Sequence, residues 1–340
     1  MSTTDKQPGV RPPYRIVFMG TPDFAAKCLQ SLLDAPEVSV VLTVSQPDKP
    51  QGRRHERVPT PVHRLSDTAG IPCVQPDSAR TERFLTLIRD ARPDFIVTAA
   101  YGKLLPQAVL NVPAVAPVNV HASLLPRYRG ASPVHRAIID GEAETGITIM
   151  QMTAEMDAGG IYAQAALPIE PDETAADLMA RLAELGAAIL PRSLTAIAEG
   201  LLPREQNTDA VTYAGLLGRE TGRMDWSADA RTLHNLVRGT SPWPGAQTTL
   251  NGRHVKIHRT AVPDVSVWPP ALASDFAGCP NGTVIERRKG RLMVLCGQRP
   301  GCGPDVLEIL ELQLPGGRRL KAADCAHNLP DAAVFGAAAE

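Results

Sequence analysis

The chain has 340 residues, 44% of them apolar and 21% charged, with a formal net charge of −1. That length holds two domains of ordinary size, each with its own core. The near-neutral balance excludes a globally basic nucleic-acid binder, so any such partner must be met by local patches. No apolar run approaches the roughly 20 residues needed to span a bilayer. The polar start, Met1 to Gly9, lacks the apolar core of a signal peptide, so a cytoplasmic protein with no membrane partner is expected. Cys28, Cys73, Cys279, Cys296, Cys302 and Cys325 form no Cys-x-x-Cys pair and read as reduced thiols.

Residues 1–13 read as a disordered lead. Arg15 to Met19 reads as a buried strand running into Gly20-Thr21-Pro22-Asp23, where Thr21 is placed to cap a helix with Pro22 at its first position. That helix turns Phe24, Cys28, Leu29 and Leu32 inward. Further strands are expected over Val38 to Val44, Asp94 to Ala99 and Pro117 to Val120, with helical patterns around 60–69, 79–91 and 132–140. Alternating strands and helices predict a parallel sheet covered on both faces. Ile147 to Met152 and Ile161 to Leu167 read as two more strands, and residues 174–199 as a long helix. After about residue 205 the texture changes. Short strands (His254 to Ile257, Thr283 to Ile285, Leu292 to Leu295, Val306 to Leu314) alternate with Gly and Pro turns, as in a small β-barrel. Residues 263–281 read as a loop.

Ligands of open α/β sheets bind beyond the carboxyl ends of the strands. Asn119 and His121 lie two apart at such an end, so their side chains share a side. Asp157 follows a separate strand and can reach the same crevice. An amide, an imidazole and a carboxylate suit acyl transfer to an amine without a covalent enzyme intermediate. Asn119 offers an N–H to the developing oxyanion, and His121 adds a donor or moves a proton. Asp157 fixes the imidazole tautomer and accepts the proton that the amine loses. Ser123 has no G-x-S-x-G elbow and is not read as a nucleophile. No His-x-x-x-His spacing points to a metal, and Gly20 lacks the G-x-G-x-x-G context of a dinucleotide site. His63 and His135 fall on predicted helix surfaces and read as solvated. Trp226 and Trp243 read as packing residues.

Asn119-x-His121, Ser123-Leu124-Leu125-Pro126 and Asp157-Ala-Gly159 together resemble the 10-formyltetrahydrofolate-dependent formyltransferases. Gly20-Thr-Pro-Asp-Phe24, Gln46 to Arg53, Ala100 to Pro106, Thr145 to Met152, Met224-Asp-Trp226 and Ser241 to Ala246 extend the likeness from about residue 14 to 325. They point to the branch that acts on tRNA. The resemblance implies a Rossmann-like α/β catalytic domain over 14–205, a linker over 206–222, an OB-like barrel that holds tRNA over 223–330 and a flexible tail over 331–340. It implies transfer of the formyl group of 10-formyltetrahydrofolate to the α-amino group of methionyl initiator tRNA, by a monomer and without metal. An amino sugar nucleotide is the alternative acceptor. It assigns catalysis to Asn119, His121 and Asp157. Folate contacts fall to Ser123, Leu124, Leu125 and Pro126, with Tyr101, Gly102, Leu104 and Leu105. Arg53, Arg54 and Arg57 fall to the tRNA. Further basic groups stand at Arg127 and Arg129, at Arg287 to Arg291, and at Arg318, Arg319 and Lys321. One departure is Gly160, where the family commonly carries a second acidic residue.

Overall fold

The computed structural model describes residues 11–51, 56–264, 276, 278–286, 291–297, 305–329 and 333–336. They form two compact units interleaved in sequence. One takes the chain up to Pro133, Glu144–Pro168 and Met179–Gly215; the other takes Val134–Ala143, Ile169–Leu178 and the chain from Leu216.

The first unit is built on a seven-stranded sheet. Its strands are β1 (Tyr14–Gly20), β2 (Val38–Val44), β5 (Cys73–Val74), β6 (Phe95–Ala99), β7 (Ala116–His121), β9 (Glu144–Gln151) and β10 (Ile161–Pro168), in the order β10-β9-β7-β6-β1-β2-β5. The five strands from β7 to β5 are parallel, whereas β9 runs antiparallel to β7 and β10 antiparallel to β9. Apolar residues fill β1 and β6 almost without interruption because helices cover both sides. Val17 and Met19 face a cluster with Phe84, Leu85 and Ile88 of helix α3 (Glu82–Asp90) and Val109 and Leu110 of α4 (Gln107–Leu110). On the other side lie α1 (Asp23–Leu33) and α6 (Ala175–Ala198). There a Cβ on Gly186 would rest 3.4 Å from Val120 and 3.6 Å from Cys28. Burial pushes the Cys28 thiol up to about 12, which leaves it inert.

Phe24, Cys28, Leu29 and Leu32 of α1 are buried as expected. Thr21, however, does not cap this helix. Pro22 is the N-cap residue, and the Thr21 hydroxyl instead accepts from the Gln46 amide at 3.2 Å. The hydroxyl is drawn to a neighbouring strand end whose N–H has no ladder partner of its own.

Between β2 and α2 (Pro61–Ala69) a hairpin projects: β3 (Lys49–Gln51) pairs with β4 (Glu56–Val58). Asp48 fastens its base. One carboxylate oxygen accepts from the Thr60 amide at 3.1 Å and from Gln75 Nε2 at 2.7 Å, and His63 Nδ1 lies 3.1 Å from the other. His63 also has Asp67 at 3.6 Å, so it is not a free surface histidine. Burial pushes the Asp48 carboxyl up, but the bonds from Gln75, Thr60 and His63 outweigh it and hold the group below the usual carboxylate range.

Two short parallel strands complete this unit, β8 (Arg129–Gly130) and β11 (Tyr213–Ala214). Residues 212–214, read from sequence as linker, are thus hydrogen-bonded into the first unit.

The second unit is an antiparallel sheet. It contains β12 (Ala246–Leu250), β13 (Arg253–Ala261), β14 (Val284–Glu286), β15 (Met293–Cys296), β16 (Asp305–Gln313) and β17 (Arg319–Lys321), in the order β12-β13-β16-β15-β14 with β17 on β16. Helix α7 (Ala230–Gly239) packs on β13 and β16. The sequence reading missed this helix because polar residues interrupt its buried side. His234 bonds Thr260 and the Pro171 carbonyl, Arg238 bonds Asn235, and all three helix residues are buried. Burial lowers the His234 pKa, so its neutral ring fills the core. His135 is likewise partnered, with Nδ1 2.8 Å from the Gly239 carbonyl.

Trp226 is buried, donates from Nε1 to Thr248 Oγ1 at 2.9 Å and stacks on Phe335 at 5.7 Å. Trp243 departs from the packing expectation, being 57% exposed. Part of the stretch read as a free tail is therefore core: Phe335 is 1% exposed and bridges Leu250. The loop read over 263–281 falls mostly outside the described residues, as do Cys302 and Arg287 to Lys289.

Two outcomes follow. Phe335→Ala destabilises the second unit by about 3–5 kcal/mol in urea denaturation, the usual result of emptying a buried phenyl site; a loss near zero would show that the segment contributes no core. Asp48→Asn tests the hairpin anchor through pH. A carboxylate held below its unfolded value stabilises fully above that value, roughly pH 4, and the contribution fades as pH falls through the folded value. Wild type should therefore exceed Asp48→Asn in stability at neutral pH, with the gap closing in acid. A gap undiminished to the acid limit of folding would remove the carboxylate from the account.

Candidate active site

β7 lies between β6 and β9, and the site begins at its carboxyl end. Asn119 sits opposite Thr98 in the β6 register, and His121 opposite Thr148 of β9. Both neighbours are buried hydroxyls within apolar strands, where a polar group requires a hydrogen-bond partner. Thr98 Oγ1 donates to Asn119 Oδ1 at 2.7 Å. The acceptor end of the amide is thereby engaged, and the NH2 is left as the end that can face a ligand.

Thr148 serves the loop that follows His121. Its hydroxyl donates to the Ser123 carbonyl at 2.6 Å and accepts from the Leu125 amide at 3.1 Å, while Gln164 Nε2 reaches the Leu125 carbonyl at 2.9 Å. The Ser123–Pro126 segment is thus fixed through its backbone. Ser123 is fully buried and donates its hydroxyl to the Arg127 carbonyl at 2.6 Å, an arrangement of a turn former and not of a nucleophile.

His121 is 5% exposed, with Nε2 3.0 Å from the Tyr128 carbonyl and Nδ1 3.7 Å from Asp157 Oδ2. A carbonyl only accepts, so Nε2 carries the proton and the neutral ring turns its lone pair at Nδ1 toward the carboxylate. The tautomer is set by the Tyr128 carbonyl, and not by Asp157 as the sequence reading expected. A separation of 3.7 Å exceeds a direct hydrogen bond.

Asp157 lies on the loop between β9 and β10. Its Oδ2 accepts from the Gly130 amide at 2.8 Å. Its φ is +54°, a left-handed backbone that costs a non-glycine residue about 1–2 kcal/mol. Gly159 is required by close approach, since a Cβ there would lie 1.9 Å from the Gln151 carbonyl oxygen. Gln206 Nε2 donates to the carbonyls of Asp157 at 2.8 Å and Gly159 at 2.7 Å.

Tyr101 and Leu105 are buried in the cluster beside β1 and β6, whereas Leu104 is exposed and Gly102 takes a φ of +80°. The Tyr101 hydroxyl is buried without a partner among the described residues, and burial pushes it up to about 12. Met156, next to Asp157, is a second large apolar side chain left exposed. These groups supply apolar surface and one unspent donor of the kind an aromatic heterocycle uses.

Of the basic residues, Arg57 is exposed on β4, and Arg53 and Arg54 lie outside the described residues. Arg129 is not a surface cation. It is 6% exposed and donates to Gln206 Oε1 from Nε at 3.1 Å and from a terminal nitrogen at 2.8 Å. Arg319 pairs with Glu311 and Arg291 with Glu308, so two of the second unit's basic groups are partly neutralised. Among the described residues no cluster of His, Cys, Asp or Glu is placed to hold a metal, and no helix is long and apolar enough to cross a membrane.

Sequence reasoning missed Thr98, Thr148 and Gln206. The two threonines were legible as polar interruptions of apolar strands, whereas Gln206 left no local sign.

Residues 14–194 match the formyl transferase family model, and 217–330 match that of the formyl transferase C-terminal domain. A methionyl-tRNA formyltransferase of Geobacter metallireducens is 42% identical over 91% of this chain and 94% of its own length. One of Pelobacter propionicus is 44% identical over 91% of each. Solved structures share the fold at lower identity. HypX from Aquifex aeolicus in complex with tetrahydrofolic acid has a TM-score of 0.59 and 18% identity, over 92% of this chain and 46% of its own. The sugar 3N-formyl transferase WlaRD has a TM-score of 0.60 and 17% identity, over 87% and 97%. A strand-end amide, a buried imidazole and a carboxylate on a tight glycine turn are thus carried by a chain that belongs to the formyl transferase family.

Proposed function

We infer that the chain transfers the formyl group of 10-formyltetrahydrofolate to the α-amino group of methionyl initiator tRNA, acting as a cytoplasmic monomer. The observation that carries the reading is the convergence of Asn119, His121 and Asp157 at the end of β7, in a chain over 40% identical to methionyl-tRNA formyltransferases across nine-tenths of its length. The folate supplies the formyl group. Ser123 to Pro126 line its site with a backbone already fixed by Thr148, and Tyr101, Gly102, Leu104 and Leu105 give the apolar wall.

Each residue then has one task. Asn119 Nδ2, oriented by Thr98, donates to the oxygen of the formyl group as negative charge develops there. His121 Nδ1 holds the lone pair that the Tyr128 carbonyl leaves open; it takes up a proton and, once charged, is stabilised by Asp157. The Asp157 carboxylate draws the proton from the attacking amine into this pair. In the balance the amine nitrogen gains the C–N bond, the folate nitrogen loses one, and one proton passes from amine to departing folate. Holding both substrates in line supplies much of the acceleration.

Arg57 on β4, together with Arg53 and Arg54 a few residues before it in sequence, meets the phosphates of the acceptor stem. Each neutralised phosphate steepens the log–log salt dependence by about 0.9 on duplex.

The test offers 10-formyltetrahydrofolate with methionyl initiator tRNA and, in parallel, an amino sugar nucleotide. Formylation of the tRNA is expected; transfer to the sugar alone would overturn the acceptor and keep the chemistry. Asn119→Ala lowers kcat by about 10²–10³ if its amide stabilises the oxyanion. A rate near wild type at saturating substrates would remove that role.

A further inference from the structure

Residues 203–214, on the boundary that sequence alone draws between domain and linker, are bonded to both loops of the site. Arg204 exchanges two backbone hydrogen bonds with Ile161, at 2.7 and 2.8 Å, just after the Asp157 turn. The Thr212 carbonyl accepts from the Arg129 amide at 2.9 Å, and its hydroxyl accepts from the Tyr128 amide at 2.8 Å. The second pair of contacts secures the residue whose carbonyl holds His121. Between these two attachments stands Gln206, whose amide joins the loops directly. Its two N–H bonds go to the carbonyls of Asp157 and Gly159, and its oxygen accepts two bonds from the Arg129 guanidinium. Every bonding direction of the Gln206 amide is in use.

Such a clamp has a physical reason. Asp157 occupies a left-handed backbone with its carboxylate on the Gly130 amide, and a residue held that way relaxes when its surroundings allow it. Arg129 immediately precedes Gly130, so Gln206 ties Arg129 to the carbonyls of the turn that carries the carboxylate. With the Gly130–Asp157 bond and the Arg129–Glu155 pair at 3.7 Å, Gln206 ties the His121 loop to the Asp157 turn.

The geometry points to Gln206 as a positioning residue for formyl transfer, acting with Arg129 to hold the Asp157 carboxylate against His121 while touching neither substrate. This rests on the reading of Asp157 and His121 as the proton-handling pair.

The test compares Gln206→Ala, Gln206→Glu, Asp157→Asn and the Asp157→Asn/Gln206→Ala double variant, with methionyl initiator tRNA and 10-formyltetrahydrofolate, by steady-state and single-turnover formylation. Gln206→Ala is expected to lower kcat about 10- to 100-fold, the scale of a misplacement near 1 Å, with both KM values within about twofold of wild type. Gln206→Glu keeps an acceptor for Arg129 but cannot donate to the two carbonyls, so it should fold and lose kcat comparably. In the double variant the second substitution should add little, because both act through the same carboxylate. A wild-type kcat in folded Gln206→Glu, a loss confined to KM, or fully multiplicative losses would each overturn the positioning role. A wild-type rate in Asp157→Asn would remove the reading beneath it, an outcome separate from failure of the Gln206 variants alone.

Discussion

A buried imidazole with one nitrogen committed is the constraint on which the site depends. The Tyr128 carbonyl accepts from His121 Nε2, so only Nδ1 remains for chemistry, and Nδ1 faces Asp157. The chain must therefore bring a carboxylate to one side of a ring whose other side is closed. It does so with residues far apart in sequence. Tyr128 is held by Thr212, and Asp157 by Gly130 and Gln206. Asn119 needs less. It shares a strand with His121, and Thr98 in the adjacent strand turns its amide, so its orientation follows from sheet register alone.

This difference explains what was legible in the sequence. The strands of the first unit were readable because β1 and β6 are nearly continuous apolar runs. Asn119 and His121 were readable as a pair because a strand repeats every two residues. Helix α7 was not, since His234, Asn235 and Arg238 are buried where an amphipathic pattern calls for apolar residues, and His234 and Arg238 find partners in other segments. The tautomer of His121 was misassigned for a similar reason: a backbone carbonyl leaves no trace in residue identity, whereas a carboxylate attracts attention. Gln206 lay in a stretch whose composition resembles any polar linker, and its bonds to Arg129, Asp157 and Gly159 exist only once the chain has closed on itself.

Charge shows the same gap between composition and structure. Read as letters, Arg127 and Arg129 make a basic group beside the site. In the fold Arg127 is exposed over the Tyr128 ring, with its guanidinium carbon 5.3 Å from the centroid, while Arg129 is buried and spent on Gln206. Arg291 and Arg319 likewise face Glu308 and Glu311. A salt-bridged arginine offers a phosphate less net attraction than a free one, so the number of basic residues overstates the positive field. Within the first unit the hairpin remains, with exposed Arg57 and a base fixed by Asp48. An anchor of this kind holds the paired strands β3 and β4 in register at their base.

The Asp157-Ala-Gly159-Gly160 turn shows how the clamp shapes the residues around it. Gly159 has no room for a side chain because the Gln151 carbonyl lies against it, and a Cβ on Gly160 would come within 2.7 Å of Pro203 Cβ and 3.2 Å of the Arg204 carbonyl. The second crowding comes from the same segment that supplies Gln206. A side chain at Gly160 would require residues 203 and 204 to shift, so a glycine fits their close approach here. The glycine at 160 is thus consistent with the local packing. The same approach carries Gln206 to the carbonyls of Asp157 and Gly159.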